Sequence, residues 1–91
     1  MKIVATVVNA REAASAARLG PDLVEVRIDL MDTEPAGDLP FIRTAWKGPI
    51  ILTNRSEGEG GGFRGDPAEW WESLQPLLRF GDFVDVEMPF S

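Results

Sequence analysis

The chain contains no cysteine and no histidine. Without cysteine, disulfides and thiolate chemistry are excluded. Without histidine, the commonest general base and the commonest transition-metal ligand are both missing. Lysine occurs only as Lys2 and Lys47. No apolar run reaches the roughly 18 residues that suggest a membrane span. A secretory signal and a lipidation motif are also missing, which predicts a cytoplasmic protein with no membrane partner. Nor is there a basic run. Nine Lys and Arg against fifteen Asp and Glu give a formal net charge of -6. An acidic chain of that kind is a poor partner for nucleic acid. Ninety-one residues allow one domain at most, with a modest core. A hydrophobic content of 44% with aromatics present argues against disorder.

The most informative stretch is Leu23-Val24-Glu25-Val26-Arg27-Ile28-Asp29-Leu30. Val24, Val26, Ile28 and Leu30 fall on one side, and Glu25, Arg27 and Asp29 on the other. Such alternation, rich in β-branched residues, predicts a β-strand. By itself the stretch also fits an antiparallel strand with one solvated face. The rest of the chain favours a different setting, because it keeps repeating strand, helix, strand. That order predicts a parallel sheet covered by helices.

Lys2 to Val8 reads as strand 1. Asn9 with Glu12 forms a capping-box start for helix 1, which Gly20 and Pro21 stop. Residues 31–37 read as a loop. Asp38 is expected to cap a short second helix running to about Trp46, with Pro40 in its first turn. Ile50 to Arg55 reads as strand 3, and residues 56–65 as a glycine-rich loop. Asp66-Pro67-Ala68-Glu69 is the strongest helix start in the chain. Trp70, Leu74, Leu77 and Leu78 form the apolar stripe of helix 3, and Pro76 should kink it or end it early. Phe83 to Met88 reads as strand 4, alternating Phe83, Asp85 and Glu87 against Val84, Val86 and Met88.

The order βαβαβαβ predicts an α/β fold with four parallel strands laid side by side. Charges gather toward the C-terminal ends of strands 2, 3 and 4: Arg27 and Asp29, Arg55, and Asp85 with Glu87. That is how the active site of a (β/α)8 TIM barrel is built, and the chain reads as a half-barrel of that class. A doubly wound open sheet is the alternative, with ligands at the same strand ends. Arg27 and Arg55 are suited to grip a carboxylate bidentately. Glu25 is suited to accept hydrogen bonds from substrate hydroxyls. A purely structural layer of salt bridges is the competing reading of these charges. The Gly58 to Gly62 loop lacks the P-loop lysine and carries Glu57 and Glu59, which argues against a phosphate cradle. A lid bearing one reactive carboxylate and a plain loop remain. Trp70 and Trp71 read as helix packing. Asp32 and Glu34 near Asp29 match no metal-ligand spacing, so no metal or other cofactor is expected.

KIVATVV, DLVEVRIDL, ILTNRSEGEGGGFRGD and FVDVEM together resemble the N-terminal portion of type I 3-dehydroquinate dehydratase, the Schiff-base enzyme of the shikimate pathway. The likeness covers essentially the whole chain. It implies a (β/α)8 barrel and the conversion of 3-dehydroquinate to 3-dehydroshikimate plus water. In the family a lysine forms an imine with the ketone, and a histidine moves the proton and helps expel water. The resemblance implies that Thr6 touches substrate at the end of strand 1. It implies that Glu25 and Arg27 are a substrate-binding pair and that Arg55 is the strand 3 substrate arginine. Glu59 matches the loop carboxylate that supports the catalytic histidine. Asp85 and Glu87 match acids lining the same pocket.

The family's histidine, imine lysine and C-terminal arginine, serine and glutamine lie beyond strand 4, and this sequence stops at Ser91. Lys2 and Lys47 precede strands 1 and 3, on the face opposite the pocket, so neither inherits the imine role. The expectation is a truncated form carrying the substrate-binding residues without the chemistry. The alternative is a non-catalytic half-barrel that assembles with itself and at most binds a small carboxylate. Strands 1 and 4 would be open edges, with Ile51, Thr53 and Phe83 facing water. A two-fold homodimer pairing strand 4 of one copy with strand 1 of the other would close them.

Overall fold

The structure is a computed structural model, and it describes residues 1–87. Four short strands form where β-branched and aromatic residues fall: β1 (Val4–Val7), β2 (Leu23–Arg27), β3 (Ile50–Thr53) and β4 (Phe83–Asp85). All pair in parallel, in the order β1-β2-β3-β4. A doubly wound sheet reverses its strand order at a switch point. This sheet has none, so it is a strip of singly wound barrel.

Three helices connect the strands: α1 (Ala10–Leu19), α2 (Pro35–Ala45) and α3 (Pro67–Leu74). The cap of α1 forms where expected, with the Glu12 amide donating to Asn9 Oδ1 at 2.8 Å. Glu12 itself reaches one residue further back than a standard box and accepts from the Val8 amide at 2.9 Å. Gly20 ends the helix at φ 65°, where a Cβ would be strained. The box at α3 is complete: Glu69 N donates to Asp66 Oδ1, and Asp66 N donates to Glu69 Oε1. α3 stops at Leu74 and the chain continues as a 3-10 turn, Gln75–Phe80. Pro76 has no N–H to extend the α-helical ladder, so the early ending is the one realised.

The second helix differs from expectation. It starts at Pro35, with Glu34 as an N-cap that makes no side-chain bond. Asp38 is not its cap but lies in its first turn, near the positive end of the helix dipole. Pro40 therefore sits inside the helix. Burial overrides local composition here, since Leu39 and Ile42 are both fully enclosed. The strands are also shorter than expected. Alternation persists through Ile28 and Asp29, but those residues form a 3-10 turn, Ile28–Leu30. Asn54 and Arg55 lie beyond β3, and Val86 and Glu87 lie beyond β4. Met88, expected at the end of strand 4, lies outside the described residues.

The core lies on one face of the sheet. Val24 and Val26 of β2 and Ile50 and Leu52 of β3 pack beneath Ala13 and Ala16 of α1, Leu39 and Ile42 of α2, and Trp70 and Leu74 of α3. The alanines of α1 let that helix approach closely. Trp70 is buried and donates through Nε1 to the Asn54 carbonyl, whereas Trp71 is half exposed beside it. Both belong to helix packing.

The N-terminal edge of the sheet carries a repeated device. Asp22-Leu23-Val24-Glu25-Val26-Arg27 and Asp82-Phe83-Val84-Asp85-Val86-Glu87 share a pattern of aspartate, apolar residue, valine, acid, valine and charge. Asp22 accepts from the Ile3 amide and Asp82 from the Ile50 amide, so each holds the start of the preceding strand. Arg43 adds bonds to Asp82 and to the Phe80, Trp46 and Gly48 carbonyls. Lys2 and Lys47 are exposed and precede β1 and β3, at the end of the sheet opposite the strand-end charges.

Two substitutions test this account by chemical denaturation. Leu74→Ala is expected to cost about 2–5 kcal/mol, because it leaves a cavity under α3. Asp66→Ala is expected to cost about 1 kcal/mol through loss of the cap alone. Equal effects would contradict the placement of Leu74 in the core.

Candidate functional site

Alternation in β2 directs Val24 and Val26 into the core, so Glu25 and Arg27 must project from the opposite face. Register sets their neighbours. Thr6 of β1 lies beside Glu25, Thr53 of β3 beside Arg27, and Asp85 of β4 beside Thr53. Residues in register on parallel strands share a face, so one surface collects polar side chains from all four strands, with charges from β2 and β4.

Glu25 is held at both oxygens. Thr6 Oγ1 donates to Oε1 at 3.0 Å, and Thr53 Oγ1 donates to Oε2 at 2.7 Å. The two threonines brace one carboxylate across three strands. Thr53 is 1% exposed, so the expectation that it faces water is wrong: its hydroxyl is turned to Glu25 instead. Of the other two residues expected to face water, Phe83 is exposed and Ile51 is only half-buried.

Arg27 makes a forked contact with Asp29, Nε to Oδ1 at 3.0 Å and Nη2 to Oδ2 at 2.7 Å. The Asp29 side chain is wholly covered, and that of Arg27 is 19% exposed. The Arg55 amide also donates to Asp29 Oδ1, and the Gly62 amide to Oδ2, both at 3.0 Å. Burial alone would push the Asp29 carboxyl up. The Arg27 hydrogen bond, the two backbone amides and the Arg27 charge outweigh it and hold the carboxyl below the usual range. The same hydrogen bond raises the Arg27 guanidinium further above its ordinary value. The Arg55 guanidinium bonds Asp85 Oδ2 at 2.9 Å, with its side chain 31% exposed. Glu87 folds inward. Its Oε1 accepts from the Ser56 amide at 2.8 Å, and its buried Oε2 has no partner among the described residues.

The loop after β3 returns on its own base. The Phe63 amide donates to the Arg55 carbonyl, and the Gly61 amide to the Ser56 carbonyl. A Cβ at Gly61 would lie 2.2 Å from the Arg55 carbonyl oxygen, and one at Gly62 would lie 2.6 Å from the Asp29 carbonyl oxygen. Glycine is required at both for so close an approach. Glu59 lies on an exposed 3-10 turn, Glu57–Glu59. It lines a hollow of about 420 Å³ with Glu57, Phe63 and Arg64, where Arg64 pairs with Glu57 at 2.6 Å. Its side chain makes no hydrogen bond or ion pair with the strand-end residues. The structure thus gathers Thr6, Glu25, Arg27, Arg55 and Asp85 on one face, brings Glu87 to the loop base, and leaves Glu59 apart from them.

Chemically the surface offers two reachable guanidiniums with donors to spare. Each has five N–H groups. Arg27 uses two on Asp29, and Arg55 uses one on Asp85. Beside them stands a carboxylate, Glu25, fixed in orientation. Among the described residues no three acidic side chains converge on a point that would hold a metal ion. Sequence reasoning missed Thr53 as a brace for Glu25. Its signal was the shared phase with Arg55 in the Thr53-Asn54-Arg55 triplet.

Residues 3–91 match the family model described as type I 3-dehydroquinase. The chain is 41% identical over 91 residues to a 3-dehydroquinate dehydratase of Methanoregula boonei, covering all of this chain and 44% of that protein. It is 40% identical over 92 residues to one from Methanospirillum hungatei, covering 36% of that protein. The crystal structure of 3-dehydroquinate dehydratase from Geobacillus kaustophilus matches the whole chain with a TM-score of 0.77 at 28% identity. This chain covers 42% of that structure. The chain therefore spans less than half the length of the relatives it matches. From its matching model, its relatives and its strip of parallel barrel, this chain belongs to the type I 3-dehydroquinase family.

Proposed function

We propose that this chain supplies the substrate-gripping part of a cytoplasmic 3-dehydroquinate dehydratase. The reaction converts 3-dehydroquinate to 3-dehydroshikimate and water through a lysine imine. The observation that carries this reading is the pair of partly exposed arginines flanking a braced glutamate at the strand ends. Arg27 and Arg55 take the substrate carboxylate, a planar anion suited to guanidinium forks. Glu25, with both oxygens fixed, accepts from ring hydroxyls, and Thr6 borders the same spot. Asp85 lines the pocket as an acid and orients Arg55, while Glu87, folded inward, serves that pocket by holding the Ser56 amide at the base of the loop. Glu59 serves as the loop carboxylate that supports the histidine of the intact enzyme.

These residues bind and orient; they do not supply the imine or the proton. The sequence has no histidine, and its two lysines sit at the other end of the sheet. A second reading has its own observation. β1 and β4 are open edges, and Ile3, Val4, Phe83 and Val86 are exposed at or beside them. Two copies related by a two-fold axis would pair β4 of each with β1 of the other, closing eight strands.

Three outcomes are expected. The 91-residue chain, mixed with 3-dehydroquinate and followed at the enone absorbance of the product, gives no turnover. Activity that survived Lys2→Ala and Lys47→Ala would overturn the assignment of chemistry to other residues. In a complete barrel built on this segment, Arg55→Ala weakens substrate binding by about 1.5–3 kcal/mol, as loss of a charge-assisted contact should. An unchanged Michaelis constant would remove Arg55 from the grip. Sedimentation at micromolar concentration shows a dimer, with a melting temperature that rises with concentration. A cooperative monomer whose melt ignores concentration would dismiss the paired half-barrel.

A further inference from the structure

The loop that follows β3 is attached to the strand ends by carboxylates from either side. From β4, Glu87 holds the Ser56 amide. From the turn after β2, Asp29 holds the amides of Arg55 and Gly62 while also carrying the Arg27 fork. The division within Asp29 is regular. Each oxygen receives one guanidinium N–H and one backbone N–H, and the side chain has no exposed surface left. Sequence pattern counted Asp29 among the charges of the site but assigned it no task.

We propose that Asp29 is a positioning residue, which aims the Arg27 guanidinium and pins the 57–62 loop, with Glu59 on it, against the end of β2. The aiming rests on the reading of Arg27 as a substrate-gripping group, whereas the pinning stands apart from it. Geometry requires an acceptor at both positions. In Asp29→Asn the amide nitrogen must replace one oxygen, and whichever it replaces, it confronts one guanidinium N–H and one backbone N–H. Two of the four bonds are lost and two donors face a third. A glutamate would move the carboxylate outward by one methylene, into the space where Gly62 already approaches the Asp29 backbone. The carboxylate's position below the usual range fits a group that must remain charged to serve four donors. The anchor is therefore in force above the ordinary aspartate range, and it is lost as pH falls through the lower folded value.

The test uses the isotope-labelled 91-residue chain. In the wild type, the amide resonances of Arg55 and Gly62 and the Arg27 Nε–H resonance should titrate together. They should share one midpoint, below the ordinary aspartate value of about 3.9. Separate midpoints would overturn the proposal even if the variant fails to fold. In Asp29→Asn that titration should vanish, and backbone order parameters over 57–62 should fall from about 0.85 to below about 0.6. The amides of Val26 and Leu52 should stay ordered, and Glu87 should keep Ser56 in place. Asp82→Asn, which removes a carboxylate at the far end of the sheet, should leave the loop as it was. A loop equally ordered in Asp29→Asn and wild type would also overturn the proposal. Added 3-dehydroquinate should bind the wild type about ten- to hundred-fold more tightly than Asp29→Asn. If the wild type binds none while Asp29→Asn still frees the loop, the substrate reading falls and the pinning is upheld.

Discussion

Everything at the strand ends depends on a two-residue alternation that cannot slip. β2 lies between β1 and β3 and sends Val24 and Val26 into the core, where neither keeps any exposed surface. A shift of one residue would exchange those valines for Glu25 and Arg27 and bury two unpaired charges under the helices. The cost of such burial is far larger than a domain of this size can absorb. The core thus selects the register, and the register assembles the polar face. Thr6, Glu25, Thr53 and Asp85 meet because the apolar residues between them have no other place to go.

The two ends of the sheet use carboxylates differently. At the N-terminal end, Asp22 and Asp82 tie strand starts together, and Asp82 is joined by Arg43. These bonds go to backbone amides, to carbonyls and to Asp82 itself, and they occupy four of the five N–H donors of Arg43. At the C-terminal end the acids are matched with arginines that keep donors in reserve. This division follows the barrel pattern, in which one face serves stability and the other serves chemistry. The same aspartate, valine, acid, valine pattern opens at one end and finishes at the other, so β2 and β4 each contribute to both.

Much of this was legible in the sequence because it rests on local rules. The alternation of β2, the cap pairs Asn9–Glu12 and Asp66–Glu69, and the stop at Gly20 involve residues within a few positions of one another. The start of α2 was not legible. Pro35, Ala36 and Gly37 have loop composition, and only the burial of Leu39 and Ile42 draws them into a helix. Strand ends were overestimated for a related reason. A 3-10 turn at Ile28–Leu30 keeps Ile28 inward and so preserves the alternating pattern after the strand has ended. The tasks of Asp29 and Thr53 were hidden because their partners lie far along the chain: Gly62 for the one, Glu25 for the other. The grouping of Glu25, Arg27 and Arg55 was readable from phase alone. The separation of Glu59 from them was not, since a glycine-rich loop gives no phase to follow.

The sequential strand order has a consequence for how the molecule comes into being. Each strand is paired with the strand next to it in the chain: Val4 meets Leu23, Val24 meets Ile50, and Ile51 meets Phe83. No pairing waits for a distant segment. Loop closure is therefore confined to one strand-helix-strand unit at a time, and its entropic cost grows only slowly with loop length. A chain with such local connectivity can add strands in the order in which a ribosome delivers them. Each new strand then finds its template already in place, since the edge it joins is the one formed by the strand before it.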